Sequence, residues 1–364
     1  MELFKAIDEA VSRIHSNESR RLKFFDSISF LKEKNLSEFN SIELLEESLA
    51  YPINLKEFSG RIAGIDSGFI GQNFSSMDLI LVRAMAAIFN YVNGSLAKAD
   101  YFPNFFKFPD PIILTDSLER DEFNCSKSLH RLREEVSLSR KVIEKFKPEF
   151  LFIDGSIVPQ HADKPRSDSS INKLYGEVLS CFQSLYESAE KNNCELIACV
   201  EDSRGTRFSA LLQKEILNSL KVDSPLLDNC FDSVLLDYFL EKGERSFCFS
   251  YSSKKEKHPI LNDMHEKWSE KIHCFYLKPS KYDRPLRVEF LSSKEELKEK
   301  AERISETVLA LSSLNREYAY PSILIEADLR ARLKPEEINI VVDNLINKAG
   351  RQFFIQQRRD KRPF

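Results

Sequence analysis

Two short apolar runs in this chain end in an aspartate followed by tiny residues: Ile62-Ala63-Gly64-Ile65-Asp66-Ser67-Gly68 and Leu151-Phe152-Ile153-Asp154-Gly155-Ser156. Each reads as a buried strand that carries one carboxylate to its C-terminal end and then turns. A buried carboxylate is costly unless it is paired, hydrogen-bonded or bound to a metal. Two of them in matched positions point to one polar site at one edge of a sheet, which is where open α/β sheets bind ligands. The plainer alternative is that each Asp caps a following turn or helix. For the matched pair we favour a site.

A third acid is within reach on the element before the second run. Glu134 and Glu135 lie 20 and 19 residues ahead of Asp154, on a long helix that passes straight into its strand through Pro148, Glu149 and Phe150. A helix packed antiparallel to that strand brings a Glu near Asp154. Converging carboxylates are hard oxygen donors suited to Mg²⁺ or Mn²⁺. Such ions activate water and stabilise a leaving oxygen in phosphodiester hydrolysis. An RNase H-like arrangement has this logic. A solvated helix face is the bland reading of the two glutamates.

A further constellation runs from Tyr318 to Arg332, where another apolar run delivers Glu326 and Asp328, followed by Arg330 and Arg332. Here Tyr320 is suited to hold a phosphate or a water, Asp328 to complete a metal site, and Arg330 to offset phosphate charge. An ordinary helix start with i,i+4 charge pairs explains the same residues. The turn Glu201-Asp202-Ser203-Arg204-Gly205-Thr206-Arg207 follows another strand and would face the same site. Arg204 and Arg207 are its candidate contacts to a DNA strand. Asp202 and Ser203 capping a helix over 208–220 is the alternative.

The elements that must position these groups follow from periodicity. Leu3, Phe4, Ile7, Val11 and Ile14 form one helical stripe. Leu22, Phe25, Ile28 and Leu31 begin a second, and residues 41–49 suggest a third, short helix stopped before Pro52. Such a helical arm must dock on the body or on a partner. The first strand spans 61–66, and Ser67-Gly68 turns the chain. A long strand covers 79–92, a Pro-rich aromatic loop 103–111, and a short strand 112–114. Helices are expected over 117–147, 170–191, 208–220, 294–314 and 338–346. Further strands are expected at 195–200, 246–251, 274–277 and 286–290. Strands that cluster first and then alternate with helices predict an α/β fold with a mixed sheet flanked by helices. The expected divisions are a helical N-terminal arm (1–55), a body with an RNase H-like core (56–350) and a basic C-terminal tail (351–364).

The bulk properties agree with a packed globular chain: of 364 residues, 42% are hydrophobic and 30% charged. No stretch approaches the roughly 20 apolar residues of a membrane span, so no membrane contact is expected. Residues 1–21 lack the apolar core of a secretory signal, and the cytoplasm is the expected compartment. The seven cysteines form no C-x-x-C pair and are odd in number, against a zinc ribbon or a disulfide framework. A net charge of −4 neither demands nor excludes nucleic acid, whereas the tail carries five basic residues against Asp360. No P-loop, H-E-x-x-H or G-x-S-x-G motif occurs.

Taken in order, four segments resemble the NurA family of DNA-end-processing nucleases: Gly64-Ile65-Asp66-Ser67-Gly68, Phe152-Ile153-Asp154-Gly155-Ser156, Val200-Glu201-Asp202-Ser203-Arg204, and Tyr320-Pro321 through Glu326-Ala327-Asp328. The resemblance implies an RNase H-like fold and Mn²⁺-dependent (or Mg²⁺-dependent) 5'–3' exonuclease or endonuclease activity on DNA. It also implies a homodimer that works with a HerA-type hexameric translocase in recombinational repair. Residue by residue, it makes Asp66 and Asp154 metal ligands, Glu135 (or Glu134) the helix-borne glutamate and Tyr320 an active-site tyrosine. Asp328 stands where the family commonly has His, and Ser322 and Ile323 where a second Pro is expected. Two other readings are a non-catalytic scaffold that guides DNA into a translocase and an actin-like ATPase. The scarcity of glycine, at 10 residues, and the lack of a second half oppose the ATPase.

Overall fold

The computed structural model describes residues 2–350, so the basic tail at 351–364 lies outside the described residues. In chain order, helix α1 (Glu2–Ser27) leads through two 3₁₀ turns to a short strand, β1 (Ala50–Pro52). An antiparallel meander follows: β2 (Gly60–Asn73), β3 (Asp78–Val92) and β4 (Ser95–Phe102). Strand β5 (Asp110–Leu114) adds to the far end of β3. Helix α2 (Arg120–Phe146) then feeds β6 (Phe150–Asp154), and α3 (Asn172–Lys191) feeds β7 (Glu195–Val200). Short elements come next: α4 (Arg207–Leu211), α5 (Asp232–Phe239), β8 (Glu244–Ser246), β9 (Phe249–Ser250) and α6 (Glu266–Ser269). The chain closes with β10 (Ile272–Lys278), β11 (Leu286–Leu291), α7 (Leu297–Ser312), α8 (Ser322–Ala331) and α9 (Pro335–Ala349).

The strands form one mixed sheet in the order β1-β8-β10-β11-β7-β6-β2-β3-β4. At its centre β2, β6 and β7 run parallel, while β3 and β4 extend it antiparallel on the β2 side. That connectivity is the expected RNase H-like core, enlarged by the antiparallel strands beyond β7. Alternation sorts the side chains onto two faces. Ala63, Ile65, Leu151, Ile153, Leu196 and Ala198 pack under α2 and α3. Ile62, Phe150, Phe152, Ile197 and Val288 pack under α7 and α8. Both faces are covered, which explains why β6 and β7 read as continuous apolar runs. Among the described residues no helix is long and apolar enough to cross a membrane.

Several expectations need correction. Ser67-Gly68 does not turn the chain: β2 continues to Asn73, so Asp66 sits inside a strand of 14 residues. Small residues there serve the close approach of a helix, as shown below, and not a bend. The two N-terminal stripes belong to one helix as far as Ser27, after which the chain tightens into a 3₁₀ turn. Residues 41–49 form no helix. Their polar groups are engaged elsewhere: the Tyr51 hydroxyl accepts from the N–H of Glu47 and Ser48, both at 2.9 Å. Glu46 forms a buried pair with Arg245 at 2.8 Å and accepts from the Cys248 N–H at 2.6 Å. The helix expected over 208–220 is five residues of α-helix followed by a π turn. It is capped by Asp232, which accepts from Phe208 N (3.0 Å) and Ser209 N (2.8 Å), and not by Asp202 or Ser203. Strand β4 has no counterpart in the expectations, because it is a largely exposed edge without an apolar face.

Candidate active site

Asp66 and Asp154 occupy neighbouring positions on parallel strands. They lie one step past the register pair Ile65–Ile153, a lateral separation of about 4.8 Å between backbones. Both point to the α8 face. Gly64 and Gly68 flank Asp66 on that face, and a Cβ at either would strike α8, at Ile323 and Ala331 respectively. Strand β6 ends at Asp154, whereas β2 runs eight residues past its last pairing with β6 at Ile65. This leaves a gap beside β2 that both faces of the sheet can reach.

Glu135 reaches that gap from the opposite face. It sits on the buried arc of α2 with Leu132, Val136 and Ser139, and is 1% exposed. Its Oε2 accepts a hydrogen bond from the Ser67 hydroxyl and another from Arg131, the latter at 2.9 Å. Glu134 points away and pairs with Arg133 at 3.8 Å. The bland reading of Glu135 as a solvated residue therefore fails: of the two glutamates, the buried one faces the aspartates.

Tyr320 lies in the segment leading into α8. Its hydroxyl is 2.5 Å from Asp154 Oδ1 and 2.9 Å from the Cys199 carbonyl, and its single proton is shared between the two acceptors. Asp328 sits on an exposed position of α8, and its charge reaches both Asp66 and Asp154. Asp66, Glu135, Asp154, Tyr320 and Asp328 are thus gathered at one site. Arg330, half a turn further along α8, is bound to Glu326 at 2.7 Å. Arg204 is exposed on the turn after β7, and Arg207 pairs with Glu43 of the N-terminal segment.

The acids repel one another. Burial, then Glu135 and Asp154, push the Asp66 carboxyl up to about 8, against the opposing hydrogen bond from the Ser67 backbone N–H. Burial also raises Glu135, although Arg131 and the Ser67 hydroxyl hold it back. Asp154 is raised by burial and by Asp328, and lowered by Tyr320. The site is short of positive charge, and its donors are hard oxygens. Both properties fit a divalent cation. Among the described residues no group of three or more His, Cys, Asp or Glu is placed to hold a metal ion as the side chains stand.

Two supporting groups escape the sequence reading. Arg131 is the first: a cation four residues before Glu135 on the same helix, a spacing that signals a pair on one face. The second is the buried ion pair of Arg287 and Glu289 on β11, at 2.7 Å. Glu289 accepts from the Ser156 hydroxyl (2.7 Å) and the Ile157 N–H (3.0 Å). Gly155, at φ +93°, donates to the Cys199 carbonyl at 2.9 Å. These bonds fix the turn directly after Asp154. An alternating apolar strand gave no hint that its one buried pair would anchor a turn two strands away.

The chain matches the NurA domain over residues 60–333. It is similar in structure to the crystal structure of the NurA nuclease from Sulfolobus solfataricus, with a TM-score of 0.52 and 16% identity, covering 90% of this chain and 95% of that one. A crystal structure of NurA bound to dAMP and manganese gives a TM-score of 0.52 at 11% identity, covering 93% of this chain and 97% of that one. No match was found among curated proteins.

Proposed function

The chain belongs to the NurA family, and from that membership we propose that it is a metal-dependent DNA nuclease that processes DNA ends. The observation that carries this reading is one cluster of carboxylates, with Asp66 and Glu135 buried and Asp154 partly buried beside them, in which Arg131 is the single cation set against three acids. Manganese, which a NurA structure of the same fold contains together with dAMP, is our choice of ion, with magnesium as the substitute. In this reading Asp66, Asp154, Glu135 and Asp328 supply its oxygen ligands. Bound there, a divalent cation would lower the pKa of a water nucleophile and offset charge on the phosphodiester.

The remaining steps fall to side chains. Tyr320 holds Asp154 Oδ1 and so fixes which carboxylate oxygen is turned into the site. Arg131 and Ser67 do the same for Glu135. Arg204 and Arg330 are our candidate contacts to the DNA backbone. We read residues 1–55 as an arm on a nuclease body of 56–350, acting in the cytoplasm as a homodimer with a HerA-type translocase in recombinational repair. The apolar stripe that α1 leaves uncovered supports the arm's role in assembly. A second reading, a non-catalytic DNA guide, draws on the exposed Asp328 where the family commonly has His.

The test is cleavage of labelled DNA with Mn²⁺ by the parent protein and by Asp66→Ala and Asp154→Ala. We expect each variant to fold and to lose at least about 100-fold in rate, the scale of losing a key charge-stabilising group. Full cleavage by either variant would refute the nuclease assignment of this site. A parent protein that binds DNA yet does not cut it under any metal supports the guide.

A further inference from the structure

Beside the acids, on the same face of the sheet, lies a second built surface. Arg330 sits 4.4 Å over the Tyr101 ring and 4.0 Å over the Phe105 ring. The two rings meet edge-on at 5.2 Å. Glu326 locks this group, accepting from the Tyr101 hydroxyl at 2.8 Å and from Arg330 at 2.7 Å. The loop that carries Phe105 is itself held: Arg83 donates to the Lys107 carbonyl at 3.2 Å and lies 5.3 Å over Phe106. Yet Phe105 and Phe106 are 64% and 63% exposed.

Adjacent phenylalanines exposed on a loop that Arg83 and Arg330 fasten are what a binding surface needs. Their neighbours identify the ligand. Arg330 is two residues from Asp328, and the exposed cations Arg332 and Lys334 follow it. Aromatic faces beside cations suit unpaired nucleotides, because every base has a π-face and every linkage a phosphate. We propose that Phe105 and Phe106, backed by Tyr101 and Arg330, form a shelf on which unpaired bases of the DNA stack as its backbone enters the acidic site. The identity of the ligand as DNA rests on the nuclease reading. The shelf adds that bases next to the scissile linkage are bound unstacked from their complement.

The experiment is fluorescence anisotropy of labelled dT20 and of an abasic phosphodiester strand of equal length. It uses the full chain in EDTA, so cleavage plays no part. We expect Phe105→Ala/Phe106→Ala to bind dT20 about tenfold more weakly than the parent, on the scale of one lost stacked base. The abasic strand should bind both proteins alike, and Phe105→Tyr should restore most of the affinity for dT20. Equal dT20 binding by parent and double variant would overturn the shelf and leave the nuclease reading intact. So would an equal loss on the abasic strand, or a changed sedimentation coefficient, which would make the rings a contact between copies. A parent protein that binds neither strand overturns the shelf, while the Mn²⁺ cleavage assay decides the nuclease reading separately.

Discussion

Asp66 is 7% exposed in the middle of a strand, with two other carboxylates and Asp328 acting on it. Two like charges about 5 Å apart at an effective dielectric of 20 repel by about 3 kcal/mol. A fold keeps such a group only where something outweighs its cost, so the residue opposes stability when metal is absent. The sign follows from linkage. The carboxyl rises to about 8 in the folded chain from an unfolded value of 3.8. The folded state therefore holds a proton that the unfolded state has released, and stability falls as pH rises through that window. In EDTA, Asp66→Asn should be more stable than the parent, on the order of 2 kcal/mol at pH 7. The difference should shrink to nothing near pH 4. Adding Mn²⁺ should stabilise the parent far more than the variant. Thermal unfolding at pH 4, 7 and 8, with and without the ion, measures all three effects. A variant less stable than the parent at pH 7 in EDTA would mean that Asp66 is already compensated.

At the scale of elements, the approach of α8 to β2 decides whether Asp328 joins the aspartates. Gly64 and Gly68 permit it: a Cβ at Gly64 would lie 2.8 Å from the Ile323 carbonyl oxygen, and one at Gly68 2.5 Å from that of Ala331. Backbone cannot swing aside as a side-chain tip can. Arg83 secures the end of α8 by donating to the carbonyls of Ala331 and Arg332 and to Glu337. Gly64→Ala should therefore cost about 1–3 kcal/mol by overpacking and lower cleavage by moving α8. Gly176→Ala, in open space on α3, should instead stabilise by about 0.5–1 kcal/mol. Urea unfolding of both variants distinguishes the packing account from a general intolerance of alanine. These glycines also show where sequence reasoning fails. A small residue after an apolar run signals a turn or a helix lying close by, and the choice depends on α8, whose Ile323 lies 259 residues beyond Gly64. By contrast β6, β7, α2 and α3 were legible because burial imprints their period on the chain. The choice between Glu134 and Glu135 stayed open in the sequence, because Leu132 and Val136 flank both residues and only the packing of α2 shows which one is buried. Strand β4 left no trace, because hydrogen bonds to β3 and not burial hold it. Residues 41–49 carry a helical pattern that side-chain bonds from Tyr51 and Arg245 override.

For the whole molecule, the question is what α1 is for. Its C-terminal end is anchored: Phe25, with Ile28 and Leu31 beyond it, packs against Phe208, Leu212 and Phe247, and Asp26 accepts from the Tyr238 hydroxyl. Its N-terminal half is not. Phe4, Ile7, Val11 and Ile14 are 70%, 48%, 43% and 59% exposed, at spacings of three, four and three. That is a continuous apolar stripe. A helix of this length draws its stability mainly from packing such a face. In the homodimer we propose, a stripe that meets its own copy would bury several large side chains at about 1.5–3 kcal/mol each. Ile7→Asp combined with Ile14→Asp puts two carboxylates into that contact and should weaken self-association by at least about 100-fold. The body should keep its unfolding midpoint, because neither residue touches it. Sedimentation velocity across a concentration series reads the first effect and circular dichroism the second. A variant that sediments as the parent does would free the stripe from self-association and leave it to a partner of another kind. A variant that also lost cleavage while remaining folded would tie assembly to the acid site, since the shelf and the acids lie on the body that α1 would bring to its copy.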